Sequence, residues 1–118
     1  DKRPDFAFHQ TIAQSGAMLE YDTFFRPKYN PEQTVWPLLE KMIAAGLEEQ
    51  VALATDMADS AMWSTFGGQP GMAAFIMQIR ARLVAWDIPA TTIQDLMGGN
   101  IAHRLGLDLS NLKDLTNL

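Results

Sequence analysis

The feature that most constrains the fold is the segment EQVALATD at residues 49–56, an apolar run of strand length that ends on a carboxylate. A loop with glycine, proline and tryptophan follows at residues 57–71, and a long amphipathic pattern comes after it. In parallel α/β folds the carboxyl ends of the strands carry the chemistry. Asp56 is therefore the first candidate functional residue.

A second apolar run, AMLEYD at residues 17–22, also ends on an aspartate. Hydrophobic spacing and helix-stop residues predict helices at 4–15, 31–45, 71–86, 89–97 and 100–105, strands at 17–22 and 50–55, a loop at 23–30 and a frayed tail at 111–118. Asn30 and Asn100 are expected to cap the second and the last helix. This alternation predicts βαβ units with parallel strands.

Two strands form a poor sheet by themselves, because both long edges stay open to further pairing. The sequence therefore predicts part of a parallel sheet or barrel whose other strands are missing from this chain. The first residue is Asp1 rather than Met, and the order of elements favours truncation over processing.

Composition and charge narrow the class of protein. The chain has 118 residues, 47% of them hydrophobic, which suits one small globular domain. The net charge is -5 and the sequence has no stripe of basic residues, so nucleic-acid binding is not expected. No apolar run approaches the ~20 residues of a membrane helix, and the N-terminus does not resemble a signal peptide. The absence of cysteine excludes disulfides and thiolate metal sites and fits a cytoplasmic protein.

Several segments, at matching separations over nearly the whole chain, resemble the phosphotriesterase family of the amidohydrolase superfamily. Residues 1–22 resemble the part after strand six, where a metal-binding His precedes an x-Asp pair, and Asp1 would be that aspartate. AMLEYD resembles strand seven and EQVALATDMAD strand eight. WSTFGGQPGM resembles the family's loop after strand eight. MGGNIAHRLGL resembles its closing helix, with Ile101 in place of the usual proline.

The resemblance implies a fold: the C-terminal part of a (β/α)8 TIM barrel, incomplete on its own. Its segments would be 1–16 as the helix after strand six, 17–46 as the seventh unit, 47–86 as the eighth, and 87–118 as closing helices and tail. The intact enzyme would bind two divalent metal ions, usually zinc, and hydrolyse a small-molecule phosphotriester, lactone or carboxylic ester by attack of metal-bound hydroxide. Its other metal ligands would lie in the N-terminal part of the barrel, so this chain alone is expected to be inactive.

The family's metal ligands include one residue of this chain, Asp56, expected both to bind metal and to accept a proton as the catalytic base. Without the resemblance, an aspartate that caps a turn is the favoured interpretation. Asp1 and Asp22 are candidates for orienting metal-binding histidines, with a capping or solvated carboxylate as an equal alternative. Thr23 stands where some family members have a His or Arg near the leaving-group pocket or the proton relay. Arg26 is the nearby residue whose side chain could reach that part of the site.

A substrate pocket is predicted where the two strand-to-helix loops carry aromatic residues and one arginine, namely Phe24, Phe25, Arg26 and Trp63. Packing of these side chains onto the barrel rim is the alternative. The remaining residues that could take part in chemistry are interpreted as structural. We expect surface or helix-end positions for His9 and His103, core positions for Trp36 and Trp86, and a solvated helix face for Arg80 and Arg82.

A different class of function stays open at this point. The chain could be a mostly helical interaction module that associates with a second copy or a partner through its open strand edges. A complete small α/β enzyme is a weaker third hypothesis, since no nucleophile–base pair, phosphate loop or cofactor motif supports it.

Overall fold

The computed structural model describes residues 1–107, in which two short strands pair in parallel. β1 (Leu19–Tyr21) lies beside β2 (Val51–Leu53), with Leu19 opposite Val51 and Tyr21 opposite Leu53. The helix α2 (Val35–Ala44) connects the two strands. The predicted parallel βαβ arrangement is therefore confirmed, although each strand is shorter than its apolar run.

The first two helices begin later than the sequence predicts. α1 (Phe6–Gln14) starts after Asp5, whose carboxylate accepts a hydrogen bond from the Phe8 amide. α2 starts after residues 31–34, which form a turn. Asn30 was predicted to cap this helix, and that prediction is wrong. Asn30 instead has a left-handed backbone (φ +49°) that ends a preceding 3-10 turn, so its side chain makes no cap for α2.

The third predicted helix is continuous over residues 72–85. It consists of α3 (Met72–Ala74), a π-helical segment (Phe75–Ile79) and α4 (Arg80–Ala85). The core lies between these helices and the strands. Residues from every layer are buried in it, among them Tyr21, Val35, Leu38, Leu39, Met42, Val51, Ile79, Leu83 and Leu96. Complete burial of such side chains contributes roughly 1.5–3 kcal/mol each.

The closing helices are tied to the start of β2. α5 (Ala90–Gln94) continues into a segment that breaks at Gly98, where φ is +148°, and α6 (Asn100–Arg104) follows. Asn100 does not cap α6, contrary to prediction. Its buried amide instead donates to the carbonyl oxygens of Glu48 and Val51, at 2.8 Å each. These carbonyls precede and begin β2, so the last helix and the strand are joined. The predicted tail at 111–118 lies outside the described residues.

The prediction of a solvated arginine face on α4 is wrong for Arg82. Its guanidinium carbon lies 4.1 Å from the ring centroid of Trp36 and 5.5 Å from that of Trp86, and Nη1 donates to Glu32 Oε1 at 2.6 Å. The two indoles also contact each other edge-to-face. Cation–π stacking on two tryptophans holds this side chain against the core, because each ring face attracts the cation. Both tryptophans pack as predicted.

Large apolar side chains remain exposed on the helix of residues 72–85. Ile76 is 56% exposed, Met77 69% and Val84 55%. β1 and β2 form a two-stranded sheet in the part of the chain that the structure describes. Within residues 1–107, no helix has both the length and the apolar character that crossing a membrane requires.

Candidate functional site

The candidate site lies at the carboxyl ends of the two strands. Asp22 directly follows β1, and Asp56 comes three residues after the end of β2. Because parallel strands end at the same edge of a sheet, the two aspartates share one edge. Their proximity is evident electrostatically, since the Asp56 carboxylate is one of the groups that raise the pKa of Asp22. The structure thus places both strand-end aspartates together.

Asp1 fixes the backbone where β1 ends. Its Oδ2 atom accepts hydrogen bonds from the amides of Asp22, at 2.7 Å, and Thr23, at 3.0 Å. The Thr23 hydroxyl, which is fully buried, donates to the same oxygen at 3.0 Å. In the described residues Asp1 therefore holds a strand end rather than a histidine. Since Thr23 donates to Asp1, this position is also part of the scaffold.

Asp56 has an unusual backbone and a charged partner. Its φ of +41° is in the left-handed region, which costs most residues with a side chain of order 1 kcal/mol and which aspartate and asparagine adopt more readily than most. Arg26 Nη1 donates to Asp56 Oδ2 at 2.6 Å and to the Asp56 carbonyl at 3.0 Å. The two side chains are 17% and 23% exposed, so this ion pair is largely shielded from water. Arg26 thus links the loop after β1 to the end of β2.

Asp22 and Asp56 differ in the positive charge that lies beside each carboxylate. Burial, and next the charge of Asp56, raise the pKa of Asp22, while the ammonium of Lys2 lowers it. No salt bridge within residues 1–107 includes Asp22. A half-buried carboxylate beside another carboxylate favours any additional positive charge at this edge, because the charge would relieve the repulsion.

A cavity of about 660 Å³ adjoins the ion pair, a volume in the range of small-ligand pockets. Of the predicted pocket residues, Phe24, Phe25 and Arg26 line it, together with Lys28. Phe24 is also buried against Trp36, with ring centroids 4.7 Å apart, so its ring serves core and cavity at once. The structure therefore brings three of the four predicted residues to one cavity.

The fourth predicted pocket residue, Trp63, is not among the residues that line this cavity. Its indole N–H donates to the Met57 carbonyl at 2.9 Å and so braces the loop after β2. The far wall comes from the same loop through Asp59, Ala61, Met62, Gln69 and Pro70.

Close backbone packing shapes this far wall. Gly68 donates its amide to the Trp63 carbonyl, and a Cβ at this position would lie 2.0 Å from the carbonyl oxygen of Ala61. No residue with a side chain fits there without moving the loop. The glycines of GGQPG thus form a turn that supports the cavity.

The sequence interpretation of His9 as a surface or helix-end residue is wrong. His9 is 5% exposed; its Nε2 lies 3.0 Å from the Arg3 carbonyl and its Nδ1 2.9 Å from the Tyr21 hydroxyl. Because a carbonyl only accepts, Nε2 carries the hydrogen and the neutral ring accepts from Tyr21 through Nδ1. Burial lowers the pKa of His9 and raises that of Tyr21. The spacing of His9 from Phe6 and Ala13, on one helix face, is the signal that could have revealed it.

The described residues fit part of a metal site. Asp22 and Asp56 offer carboxylate oxygens at one edge, a ligand type that divalent cations accept. Residues 1–107 contain no group of three or more His, Cys, Asp or Glu side chains arranged to hold a metal ion. Any metal at Asp56 would therefore need ligands from beyond these residues.

Comparison of the chain with protein-family models, with curated proteins and with solved structures gives no match. What the site does has to be inferred from its own residues and geometry. These features are the shared strand edge, the ion pair of Asp56 with Arg26, Asp22 without a salt bridge in residues 1–107, and the cavity beside them.

Proposed function

We propose that this chain is the C-terminal part of a (β/α)8 barrel in a metal-dependent hydrolase of the phosphotriesterase type. The observation that carries the proposal is the left-handed Asp56, paired with Arg26 and set beside Asp22 at the carboxyl edge of two parallel strands. The substrate would be a small-molecule phosphotriester, lactone or carboxylic ester. The cytoplasmic location expected from the cysteine-free sequence belongs to the same proposal.

In this proposal Asp56 holds one of two divalent ions, usually zinc in such enzymes, whose remaining ligands come from the N-terminal part of the barrel. The bound ions supply Lewis-acid activation of the ester and of water. Asp56 would also serve as the proton acceptor of the reaction. Asp1 keeps residues 22 and 23 in place through three hydrogen bonds, so that the edge stays in register.

The cavity suits the substrate side of this chemistry. Phe24 and Phe25 form part of one wall, Arg26 and Lys28 bring positive charge to the same space, and Asp59 brings one negative charge. A mostly apolar pocket with a few polar groups is typical of small-molecule sites. An ester with an apolar acyl or leaving group matches that combination.

The experiment that tests the proposal uses the complete reading frame that contains this sequence, expressed and loaded with zinc or manganese. The expected result is metal-dependent hydrolysis of at least one of an aryl phosphotriester, a γ-lactone and an aryl carboxylic ester. Asp56→Asn is expected to lower kcat by at least ~100-fold, since a general base contributes about that much. A His is also expected two residues before Asp1.

Asp87→Asn is the matched control. Asp87 is exposed and does not line the cavity, and its positive φ suits asparagine. Its substitution should leave kcat within a few-fold of the unchanged enzyme. Hydrolysis that persists at full rate in Asp56→Asn, or the absence of hydrolysis for all three ester classes, would contradict the proposal.

A second candidate function is self-association without catalysis. The exposed Ile76, Met77 and Val84 on one helix, next to a sheet of two strands, favour it over a purely monomeric module. Size-exclusion chromatography with light scattering should then show a dimer of identical chains. Met77→Glu should dissociate it and Gln78→Glu should not. A monomer that unfolds cooperatively would count against this candidate.

A further inference from the structure

Three positive side chains lie around the ring of Tyr29, next to the carboxyl edge of the sheet. The ammonium of Lys28 is 4.8 Å from the ring centroid, that of Lys2 is 5.1 Å away, and the guanidinium carbon of Arg26 is 5.9 Å away. We propose that Lys2 and Lys28, held beside the Tyr29 ring, bind an oxyanion group of the molecule that occupies the adjacent cavity. This anion site deepens the proposed function and rests on it only in taking that molecule to be the ester substrate.

The two lysines have no carboxylate partner in the part of the chain that the structure describes. The three salt bridges there all use arginines. Arg26 has a carboxylate of its own, since its Nη1 lies 2.6 Å from Asp56 Oδ2. The charges of Lys2 and Lys28 therefore share one aromatic ring, which attracts each ammonium only weakly at an exposed position. An oxyanion beside both would offset their mutual repulsion.

A turn with a fixed backbone presents Lys28 and Tyr29. Pro27 begins this 3-10 turn, and its ring restricts the backbone φ. The Tyr29 amide donates to the Arg26 carbonyl at 2.9 Å, and the Thr34 hydroxyl donates to the Tyr29 carbonyl at 2.8 Å. Because the backbone is held on both sides of Lys28, little conformational entropy is lost there when an anion binds.

The cavity of about 660 Å³ beside this turn has walls of opposite charge. Arg26 and Lys28 line one wall, and Asp59 lies on the wall formed by the loop after β2. The Asp59 carboxylate accepts a hydrogen bond from the Ala61 amide at 2.9 Å, so it is fixed within that loop. An anionic group is attracted to the first wall and repelled by the second, which orients a bound molecule along the cavity.

The chemistry of the two ammonium groups favours a compact oxyanion. Lysine acts as a point charge and binds phosphate or carboxylate oxygens without a planar match. Two such charges favour a phosphate monoester, with two negative charges, over a carboxylate with one. Burial and Asp56 raise the pKa of Asp22 and the charge of Lys2 opposes them, so the field of Lys2 also acts on a carboxylate. We therefore expect the larger contribution from Lys28.

The test titrates the full 118-residue chain with inorganic phosphate, and separately with acetate, at constant ionic strength. The amide signals of Lys28 and Tyr29 are followed by NMR, and we expect saturable shifts with tighter binding of phosphate than of acetate. Lys28→Gln should raise the dissociation constant for phosphate about fivefold, the effect of one unit charge near a solvated anion. Lys41→Gln is the matched control, because Lys41 is exposed in the last turn of α2, which leads to the opposite edge of the sheet.

Substitutions that keep one property at a time sharpen the test. Lys28→Arg keeps the charge and should bind phosphate within about twofold of the unchanged chain. Tyr29→Phe keeps the ring and should do the same, whereas Tyr29→Leu should weaken binding by about threefold because the lysines lose their common contact. Shifts that do not saturate by about 50 mM phosphate, or a Lys28→Gln chain that binds as tightly as the unchanged chain, would overturn the anion site.

The complete protein separates this inference from the proposed function. Lys28→Gln should lower kcat/KM about fivefold more for an aryl ester with a remote phosphate group than for its neutral counterpart, mainly through KM. If phosphate binds to the chain but no ester is hydrolysed, the hydrolase proposal fails and the anion site stands. If esters are hydrolysed but neither phosphate nor acetate binds, the anion site fails and the hydrolase proposal stands.

Discussion

The two strand ends start from the same sequence pattern and reach different electrostatic states. At the end of β1, the backbone amide of Asp22 donates to Asp1, and burial and the charge of Asp56 raise the pKa of the Asp22 carboxyl. At the end of β2, Asp56 has a strained backbone and a guanidinium on its carboxylate. A strand that ends on an aspartate therefore specifies where a carboxylate lies but not how it is charged or held.

The difference between the ends lies in what supplies the contacts. Asp1 and His9, both from the N-terminal segment, bind the end of β1 through Asp22, Thr23 and Tyr21. The end of β2 is held by Arg26, a side chain from the loop after β1. The first end is thus held by several residues of the N-terminal segment, and the second by one arginine.

The largest expected effect is on the scaffold. Asp1→Ala removes three hydrogen bonds from the end of β1 and leaves two backbone amides without their acceptor, so unfolding should become easier by about 3 kcal/mol. Urea denaturation followed by circular dichroism measures the change. Asp87→Asn, an exposed aspartate whose positive φ suits asparagine, should stay within about 0.5 kcal/mol. Equal midpoints for both variants would refute the scaffold role.

The next effect concerns the end of β2. Asp56→Ala leaves the Arg26 guanidinium without its carboxylate and keeps the positive φ, so a loss of about 2 kcal/mol is expected. Asp56→Asn should lose about half as much, because asparagine tolerates a left-handed backbone and still accepts from Arg26. The same denaturation assay applies. Identical losses for the two variants would mean that charge alone, without backbone strain, determines the stability here.

A change of opposite sign is expected at Asp22. Asp22→Asn removes a partly buried charge that burial and Asp56 both disfavour, so the chain should become more stable at neutral pH, by only about 0.5 kcal/mol because solvent screens the repulsion. Because the pKa of Asp22 is raised in the folded chain, the gain should shrink as the pH falls and the native aspartate takes up its proton. Thermal melts at two pH values test this. A destabilised variant would show that Asp22 has a compensating partner.

The smallest effect is a pH dependence at the β1 end. The pKa of His9 is lowered from 6.5 on folding, so the unfolded chain binds the proton more tightly than the folded one. The stabilisation is complete above pH 6.5 and is lost as the pH falls toward the lower folded-state value. Free energies of unfolding, measured with urea at about pH 7.5 and about pH 5.5, should differ more for the unchanged chain than for His9→Gln, by roughly a few tenths of a kcal/mol. Equal differences would remove His9 from the pH response.

The sequence predicts those features that depend on local pattern. The spacing of Val35, Leu38, Leu39 and Met42 predicts α2, and the order of elements predicts the parallel pairing. The meeting of Asp22 and Asp56 follows from that pairing alone. The barrel beyond the two strands remains a prediction.

Contacts between distant residues could not be predicted in the same way. Arg26 and Asp56 are 30 positions apart, and Asn100 is 49 and 52 positions from its acceptors. Such pairs depend on how the helices pack together, and the hydrophobic spacing within one segment does not indicate that packing. The prediction for His9 fails because it gave a polar residue type more importance than the spacing from Phe6 and Ala13, which places His9 on the buried face.

The bond between Asn100 and the start of β2 has a consequence for how the chain opens. The Asn100 amide donates to two carbonyl groups at once, and both lose this donor when the closing helix lifts away, while the Glu48 carbonyl still accepts from the Val51 amide. Strand and helix should then come apart in one step, and the backbone protons of residues 51–53 should exchange with solvent only as often as α6 detaches. The start of β2, the strand that leads to Asp56, is thereby protected from solvent exchange by a helix near the end of the described residues.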